Sequence, residues 1–160
     1  NRVIDIGIIR APFDSEIYES IILPDEPLVI AMNRDEYYCG QDSENIRLRE
    51  LANEPLIVPL RWKAMFMEQC EKAGFKPNIV SISDSILLNI LWAKQGIGMA
   101  LVPKSTKGLI SDAVLTYKTI VEPTISTQTV IVWLRNCNLS ASSKHFLDLL
   151  KAELDWQEKV

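Results

Sequence analysis

Strand-length apolar runs alternate with helix-like segments through the middle of the chain, and this alternation constrains the fold more than any other feature. A run bracketed by prolines at 55–59 is followed by residues 62–73, whose apolar spacing is typical of a helix. The same order is repeated by a run at 78–82, a helix-like segment at 84–95 and an apolar run at 97–102. Strands that alternate with helices favour βαβ units on a mostly parallel sheet, so the sequence predicts an α/β fold.

Residues at the helix ends add detail to this prediction. Gly74 and Gly96 each follow a helix-like segment, at the position where a left-handed residue commonly ends a helix. Ser83 is the predicted N-cap of the segment 84–95, and that segment is apolar nearly all round, which predicts burial on more than one side. The rest of the chain is predicted to form strands at 4–9, 16–23, 28–32, 114–121 and 127–134, short helices at 46–52 and 104–110, and a last helix capped by Ser140 or Ser142.

Composition and charge narrow the class of protein. The 160 residues are 48% hydrophobic and 24% charged, which fits a globular chain and argues against disorder. The formal net charge of −4, from 17 basic and 21 acidic residues, gives no support for a nucleic-acid-binding face. No apolar stretch is long enough for a transmembrane helix, and the first residues do not resemble a signal peptide.

Cysteine and histidine usage argues against disulfides and metals. The three cysteines, Cys39, Cys70 and Cys137, are odd in number and far apart, so reduced thiols in a cytoplasmic protein are expected. The single histidine, His145, would need carboxylates from scattered positions to complete a zinc site. We therefore expect no bound metal.

Three motifs lie in order along the chain. Residues 5–10 read Asp-Ile-Gly-Ile-Ile-Arg, residues 48–57 contain a Glu-Pro turn that leads into a strand, and residues 93–103 contain a Gly-x-Gly junction before an apolar strand. Together, in this order and spacing, they resemble the effector-binding domain of LysR-type transcriptional regulators. The resemblance runs from about residue 4 to about residue 154, nearly the whole chain.

The resemblance implies a two-lobed fold. Both lobes would be Rossmann-like α/β units of the periplasmic-binding-protein-like type 2 fold, with residues 1–29 and 118–160 in the first lobe and residues 30–117 in the second. The family's effector domain opens with a strand, a helix and a strand that are not found here, so an incomplete first lobe is expected. The family's winged helix-turn-helix and linker helix are also not found, and we expect the chain to be a fragment of a regulator.

The first candidate ligand-binding residues, Arg10, Ala11 and Pro12, follow the first predicted strand. In a Rossmann-like sheet, ligands lie at the carboxyl ends of the strands. A guanidinium at such a point suits bidentate contact with a carboxylate or phosphate. The alternative for Arg10 is a salt bridge on the surface or between the lobes.

The second group of candidates lies at a later strand end, just before the helix at 62–73. It consists of Pro59, Leu60, Arg61 and Trp62. Backbone N–H groups at a helix N-terminus attract anions, Arg61 adds positive charge, and the Trp62 ring offers a stacking surface. The alternative for Trp62 is ordinary packing in the core.

Ser83, Asp84 and Gly98 complete the predicted site. In the family the junction at Ser83 and Asp84 borders the cleft, and the alternative is a plain N-cap. Gly98 leaves room where the strand approaches the other lobe or a ligand. The alternative is that this glycine only meets a requirement of the backbone at the start of the strand. Arginines at 10 and 61, together with two helix N-termini, favour a small anionic effector bound between the lobes.

The resemblance implies a ligand-sensing regulatory domain that needs no cofactor. DNA contact would be made only through an N-terminal helix-turn-helix absent from this chain, in a cytoplasmic homodimer or tetramer that does not contact membranes. A solute-binding protein of a transporter shares the two-lobed fold and is the alternative. An enzyme is a third hypothesis, and it is disfavoured because the sequence offers no nucleophile–base constellation.

Overall fold

The computed structural model describes residues 4–11, 13–37, 43–110 and 113–157. The strands are β1 (Gly7–Arg10), β2 (Tyr18–Ile22), β3 (Glu26–Asn33), β4 (Asn45–Arg47), β5 (Pro55–Val58), β6 (Asn78–Ile82), β7 (Met99–Pro103), β8 (Leu115–Val121), β9 (Ser126–Thr127) and β10 (Thr129–Leu134). The α-helices are α1 (Leu60–Lys72), α2 (Ile86–Lys94) and α3 (Ala141–Gln157), and two short 3-10 turns span Leu48–Leu51 and Lys104–Thr106.

The chain divides into two compact units. One contains Asn1–Asp25 and Gln128–Val160, and the other contains Glu26–Thr127. The expected lobe boundaries, after residues 29 and 117, fall inside β3 and β8, and both of these strands belong wholly to the second unit. The assignment of the two units to the two lobes of an effector-binding domain stays a prediction.

The second unit is built on a seven-stranded mixed sheet. The strand order is β4-β8-β3-β7-β5-β6, and β9 pairs separately with β3. Four consecutive elements, β5, α1, β6 and α2, lead to β7, and β5 pairs in parallel with both β6 and β7. β4 is also parallel to β8, whereas β3 is antiparallel to its neighbours. The predicted βαβ arrangement is therefore confirmed for β5 to β7, whereas the three pairings of β3 are antiparallel, so the sheet is mixed rather than mostly parallel.

Helices α1 and α2 cover opposite faces of this sheet. Alternate residues of a strand point to opposite faces of a sheet. In β3, Leu28 and Ile30 point to one face and belong to one core cluster, while Val29 and Ala31 point to the other face and belong to a second cluster. The first cluster contains the buried residues of α1, which are Trp62, Phe66 and Cys70, and the second contains Ile90 and Ala93 of α2. In the first cluster, burial raises the pKa of the Cys70 thiol to about 12, so the thiol stays protonated at neutral pH.

Both helices end as predicted at a glycine. After α1, Gly74 has φ +88, and the N–H of Phe75 donates to the Cys70 carbonyl at 3.0 Å. After α2, Gly96 has φ +72, and the N–H of Ile97 donates to the Trp92 carbonyl at 3.1 Å. These bonds satisfy carbonyls that a helix end would otherwise leave unpaired, and the left-handed turn favours glycine.

Two predictions about α2 and one about a third helix are wrong. The N-cap of α2 is Ser85, not Ser83, because the Ser85 hydroxyl accepts the backbone N–H of Leu88 at 3.4 Å. The helix is not buried on more than one side, since Leu87 on its outer side is 54% exposed. The helix predicted at 104–110 is only the 3-10 turn Lys104–Thr106.

The first unit contains a three-stranded antiparallel sheet of order β1-β10-β2, together with α3. The N-terminus of α3 is held by Asp5, whose Oδ2 accepts the Ser140 N–H at 3.1 Å and the Ser143 hydroxyl at 2.8 Å. Ser140 Oγ also accepts the N–H of Ser143 at 3.2 Å, so Ser140 is confirmed as one of the two predicted caps. The first residue of the Asp-x-Gly motif therefore connects the start of the chain to its last helix.

Substitution Asp5→Ala is expected to lower the free energy of unfolding of the first unit by about 1–2 kcal/mol. The alanine removes the acceptor of two hydrogen bonds at the positive end of α3, and loss of such a capping group costs this much. Urea unfolding measures the loss. Asp148→Ala, which removes an exposed acid within α3 itself, is the control and should change stability by less than about 0.5 kcal/mol. Equal losses in the two variants would show that Asp5 has no capping role.

Candidate functional site

The candidate site of the second unit lies where two parallel strands end side by side. β5 and β6 are neighbours, and their last residues, Val58 and Ile82, face each other in the register. The β5–α1 junction at Pro59 and the β6–α2 loop at residues 83–85 therefore leave the sheet at the same edge. The carboxyl edge of parallel strands is where open α/β sheets bind ligands.

A charged pair joins these two junctions. Asp84 Oδ1 accepts the backbone N–H of Arg61 at 3.2 Å and lies 3.5 Å from Arg61 Nε. Arg61 is the second residue of α1, and the N-cap of that helix is Pro59, whose side chain has no acceptor. Asp84 thus supplies from the neighbouring loop the acceptor that an N-cap side chain would normally provide.

The pair changes the expected electrostatics of the site. Two arginines and two helix N-termini predicted a positive potential, but the Asp84 carboxylate offsets both the Arg61 charge and the positive end of α1. Both side chains remain about half exposed, at 49% for Arg61 and 43% for Asp84. The edge therefore presents an accessible, balanced ion pair.

The β6–α2 loop is held in shape by its own hydroxyls and by a buried amide. Ser83 Oγ accepts the N–H of Ser85 at 3.2 Å, and Asn89 Nδ2 donates to the Ser83 carbonyl at 2.8 Å. Asn89 is fully buried, and its Oδ1 has no hydrogen-bond partner among the residues that the structure describes. Sequence reasoning missed Asn89, although a lone amide within the apolar stretch of α2 is the signal that could have identified it.

The other residues of the β5–α1 junction differ in exposure. Pro59 is buried, Leu60 is 61% exposed, and Trp62 is buried in the cluster between α1 and the sheet. Trp62 Nε1 has no hydrogen-bond partner within the described part of the chain. The burial of Trp62 agrees with the packing alternative, whereas Leu60 is the apolar side chain that this junction presents to solvent. Ligand contact by either residue stays a prediction.

Gly98 has a packing reason to be glycine. A Cβ at this position would lie 2.9 Å from the Pro55 carbonyl oxygen and 3.2 Å from side-chain carbons of both Ile57 and Val80. All three neighbours belong to β5 or β6 of the same unit. Close strand packing therefore accounts for the missing side chain without a ligand, and the predicted ligand contact stays untested.

Arg10 and Ala11 lie in the first unit, and Pro12 lies outside the described residues. Arg10 is the last residue of β1, opposite Thr129, and the Ala11 N–H donates to the Gln128 carbonyl at 2.9 Å. The sheet of this unit is antiparallel, so the argument from the shared carboxyl edge of parallel strands does not apply to Arg10. Its ligand-binding role stays a prediction that rests on the resemblance.

Neither a metal site nor a membrane-spanning helix is found in the described residues. Within residues 4–11, 13–37, 43–110 and 113–157, no three His, Cys, Asp or Glu side chains are grouped so that they could hold a metal ion. In the same described segments, no helix combines the length and apolar character needed to cross a bilayer.

Comparison with known sequences places the chain beside transcriptional regulators. Residues 1–155 match the LysR substrate binding domain family. HTH-type transcriptional regulator AlsR of Bacillus subtilis (strain 168) is 30% identical over 151 residues, which cover 91% of this chain and 49% of AlsR. HTH-type transcriptional regulator BudR of Raoultella terrigena is 28% identical over 152 residues, covering 91% of this chain and 51% of BudR. The chain spans about half the length of the curated relatives it matches.

Solved structures show the same fold at lower sequence identity. The BenM effector binding domain with its effector benzoate has a TM-score of 0.77 and 21% identity, over 98% of this chain and 72% of that chain. HinK, a LysR family transcriptional regulator from Pseudomonas aeruginosa, has a TM-score of 0.78 and 21% identity, over 94% of this chain and 54% of that chain. The periplasmic-binding-protein-like fold predicted from the sequence is confirmed by these structures.

Proposed function

Because the chain belongs to the LysR substrate-binding domain family, we propose that it is the ligand-sensing domain of a transcriptional regulator. It binds a small effector, and the change is passed to a DNA-binding domain elsewhere in the same protein. The observation that carries the proposal is the meeting of the β5–α1 and β6–α2 junctions, joined by the Arg61–Asp84 pair, at the carboxyl ends of the parallel strands β5 and β6.

The proposed mechanism is a shift between two conformations. An effector that binds one conformation more tightly than the other displaces the equilibrium by the difference in binding free energy. Arg61, Asp84 and Ser83 supply charge and hydrogen bonds at the second unit, and no covalent step is required. The solved complex of the BenM effector binding domain with benzoate supports an effector of small size.

The relatives favour this function over the two alternatives. The curated relatives that match are named transcriptional regulators, and neither a transport role nor catalysis is part of the proposal. A cytoplasmic location follows from a role on DNA, and DNA contact is assigned to a helix-turn-helix outside this chain. The proposal also includes a homodimer or tetramer of the full protein that uses α1 as part of its interface.

A ligand screen on the full-length protein tests the proposed function. We expect at least one small molecule to raise Tm and to change the affinity of the protein for its promoter DNA, measured by fluorescence anisotropy. Arg61→Ala should weaken binding of that molecule about ten- to a hundred-fold, because it removes a hydrogen bond to a charged group. Arg49→Ala, which removes an exposed arginine from the 3-10 turn Leu48–Leu51, is the control and should bind normally.

Arg10 is tested in the same assay. We expect Arg10→Ala to weaken effector binding about ten- to a hundred-fold, because it removes the proposed charged hydrogen bond to a carboxylate or phosphate of the effector. Equal affinities of wild type and variant in calorimetric titration would remove Arg10 from the site. A screen in which no molecule changes both Tm and DNA affinity would contradict the proposed function as a whole.

A further inference from the structure

The Arg61–Asp84 pair leaves much of its hydrogen-bonding capacity unused. Asp84 uses Oδ1 for both contacts with Arg61, and these involve only the backbone N–H and Nε of Arg61. Asp84 Oδ2 and the two terminal nitrogens of the Arg61 guanidinium make no hydrogen bond to any described residue. Both side chains are about half exposed, so the pair faces solvent at the carboxyl edge of β5 and β6.

The unused atoms have complementary requirements. The end of a guanidinium offers two parallel N–H groups that match the two oxygens of a carboxylate. An ionised Asp can only accept hydrogen bonds, so Asp84 Oδ2 requires a donor from the ligand. A ligand that satisfies both carries a carboxylate and, next to it, a hydroxyl or amino group.

The charge of the pair limits how negative the ligand can be. Arg61 and Asp84 together carry no net charge, so a dianion gains attraction from one and meets repulsion from the other. A single carboxylate bound by the terminal nitrogens is attracted by Arg61, and the donor beside it offsets the repulsion from Asp84. The neighbouring Leu60, which is 61% exposed, offers an apolar contact for a short carbon chain.

The loop that carries Asp84 is held independently of any ligand. Asn89 is fully buried in α2, and its Nδ2 holds the Ser83 carbonyl at 2.8 Å. Ser85 Oγ caps α2 by accepting the N–H of Leu88, and Ser83 Oγ accepts the N–H of Ser85. Both hydroxyl oxygens are thus engaged with the backbone, which leaves Asp84 as the ionised acceptor of this loop.

We propose that the effector is a small monocarboxylic acid with a hydroxyl or amino group beside its carboxylate, recognised jointly by Arg61 and Asp84. This inference rests on the proposed ligand-sensing function. Arg61 binds the carboxylate of the effector, and Asp84 selects the neighbouring donor. Asp84 is therefore the specificity-determining residue of the pair.

Matched acids on one carbon skeleton test the inference. Butyrate, 2-hydroxybutyrate and 2-aminobutyrate are titrated calorimetrically into the full-length protein. We expect at least one of the two donor-bearing acids to bind about tenfold or more tightly than butyrate, which leaves Asp84 Oδ2 without a partner. A comparison of 2-hydroxybutyrate with 2-aminobutyrate shows whether the site prefers a hydroxyl or an amino group as the donor.

Three variants assign the preference to the pair. Asp84→Asn keeps the shape of the side chain but removes its charge, and the preference over butyrate should fall to near equality. Arg61→Gln should weaken all three acids, because each loses its carboxylate partner. Asp35→Asn removes the acid of an exposed ion pair with Arg34, outside α1, and it should leave both affinity and preference unchanged.

The outcomes separate this inference from the proposed function. Equal binding of butyrate and both donor-bearing acids, or a preference that survives in Asp84→Asn, would overturn the inferred ligand class. If none of the acids binds but another molecule raises Tm and changes DNA affinity, the ligand class is wrong and the proposed function stands. If no molecule in the screen binds at all, both are wrong.

Discussion

Substitution Phe66→Ala is expected to lower the free energy of unfolding of the second unit by about 3–5 kcal/mol. Phe66 is fully buried in the cluster between α1 and the sheet, where it is among the largest buried side chains. Truncation removes the apolar ring and leaves a cavity, because packing of Trp62 and Cys70 on the same face of α1 restricts collapse of the helix. Loss of this residue should therefore affect stability more than any single surface change.

Urea unfolding of wild type, Phe66→Ala and Met67→Ala measures this effect. Met67 is the next residue of α1 but lies on its exposed side, so its truncation should cost clearly less. The comparison holds helix position nearly constant and changes only burial. Similar losses in the two variants would mean that α1 does not pack against the sheet as described.

Gly98→Val should lower the free energy of unfolding by about 3 kcal/mol, and Gly98→Ala by about 1–3 kcal/mol. The added Cβ would lie 2.9 Å from the Pro55 carbonyl oxygen, a backbone atom that cannot rotate away. Relief requires β7 to move from β5, with which it pairs at Leu56 and Ile57. The larger valine side chain adds further crowding against Ile57 and Val80.

The control for Gly98 is Gly7→Ala. Among the described residues, the nearest atom to a Cβ at Gly7 would be a side-chain carbon of Val132 at 3.5 Å, which is ordinary contact, so stability should change little. The pair of variants also separates the two explanations for Gly98. If Gly98→Ala kept full stability and lost only effector binding, ligand contact rather than strand packing would be the reason for this glycine.

Much of the fold was predictable because its signals are local. The order of elements from β5 to β7 follows from apolar periodicity, which each strand or helix carries within its own few residues. Gly74 and Gly96 marked the helix ends because a left-handed φ is a requirement of the single residue. Three short motifs also predicted the family, and the match over residues 1–155 confirms it.

Local signals could not decide which of two nearby serines is the N-cap of α2. Ser83 and Ser85 are both good N-cap residues, and the sequence favoured the first. In the structure, the Ser83 hydroxyl accepts the N–H of Ser85, and α2 starts only at Ile86. Which serine caps the helix depends on the path of the chain as it leaves β6, and that path is not encoded by residue type alone.

Only the tertiary structure decided which side chains meet. Asp84 and Arg61 are 23 residues apart, and Asp5 and Ser140 are 135 apart, yet each acid holds the first turn of a distant helix. The sequence identified Arg61 and Asp84 as candidates but predicted a positive edge rather than a balanced pair. Residue type determines what a group can bond with, whereas strand pairing and helix packing determine which partner comes within bonding distance.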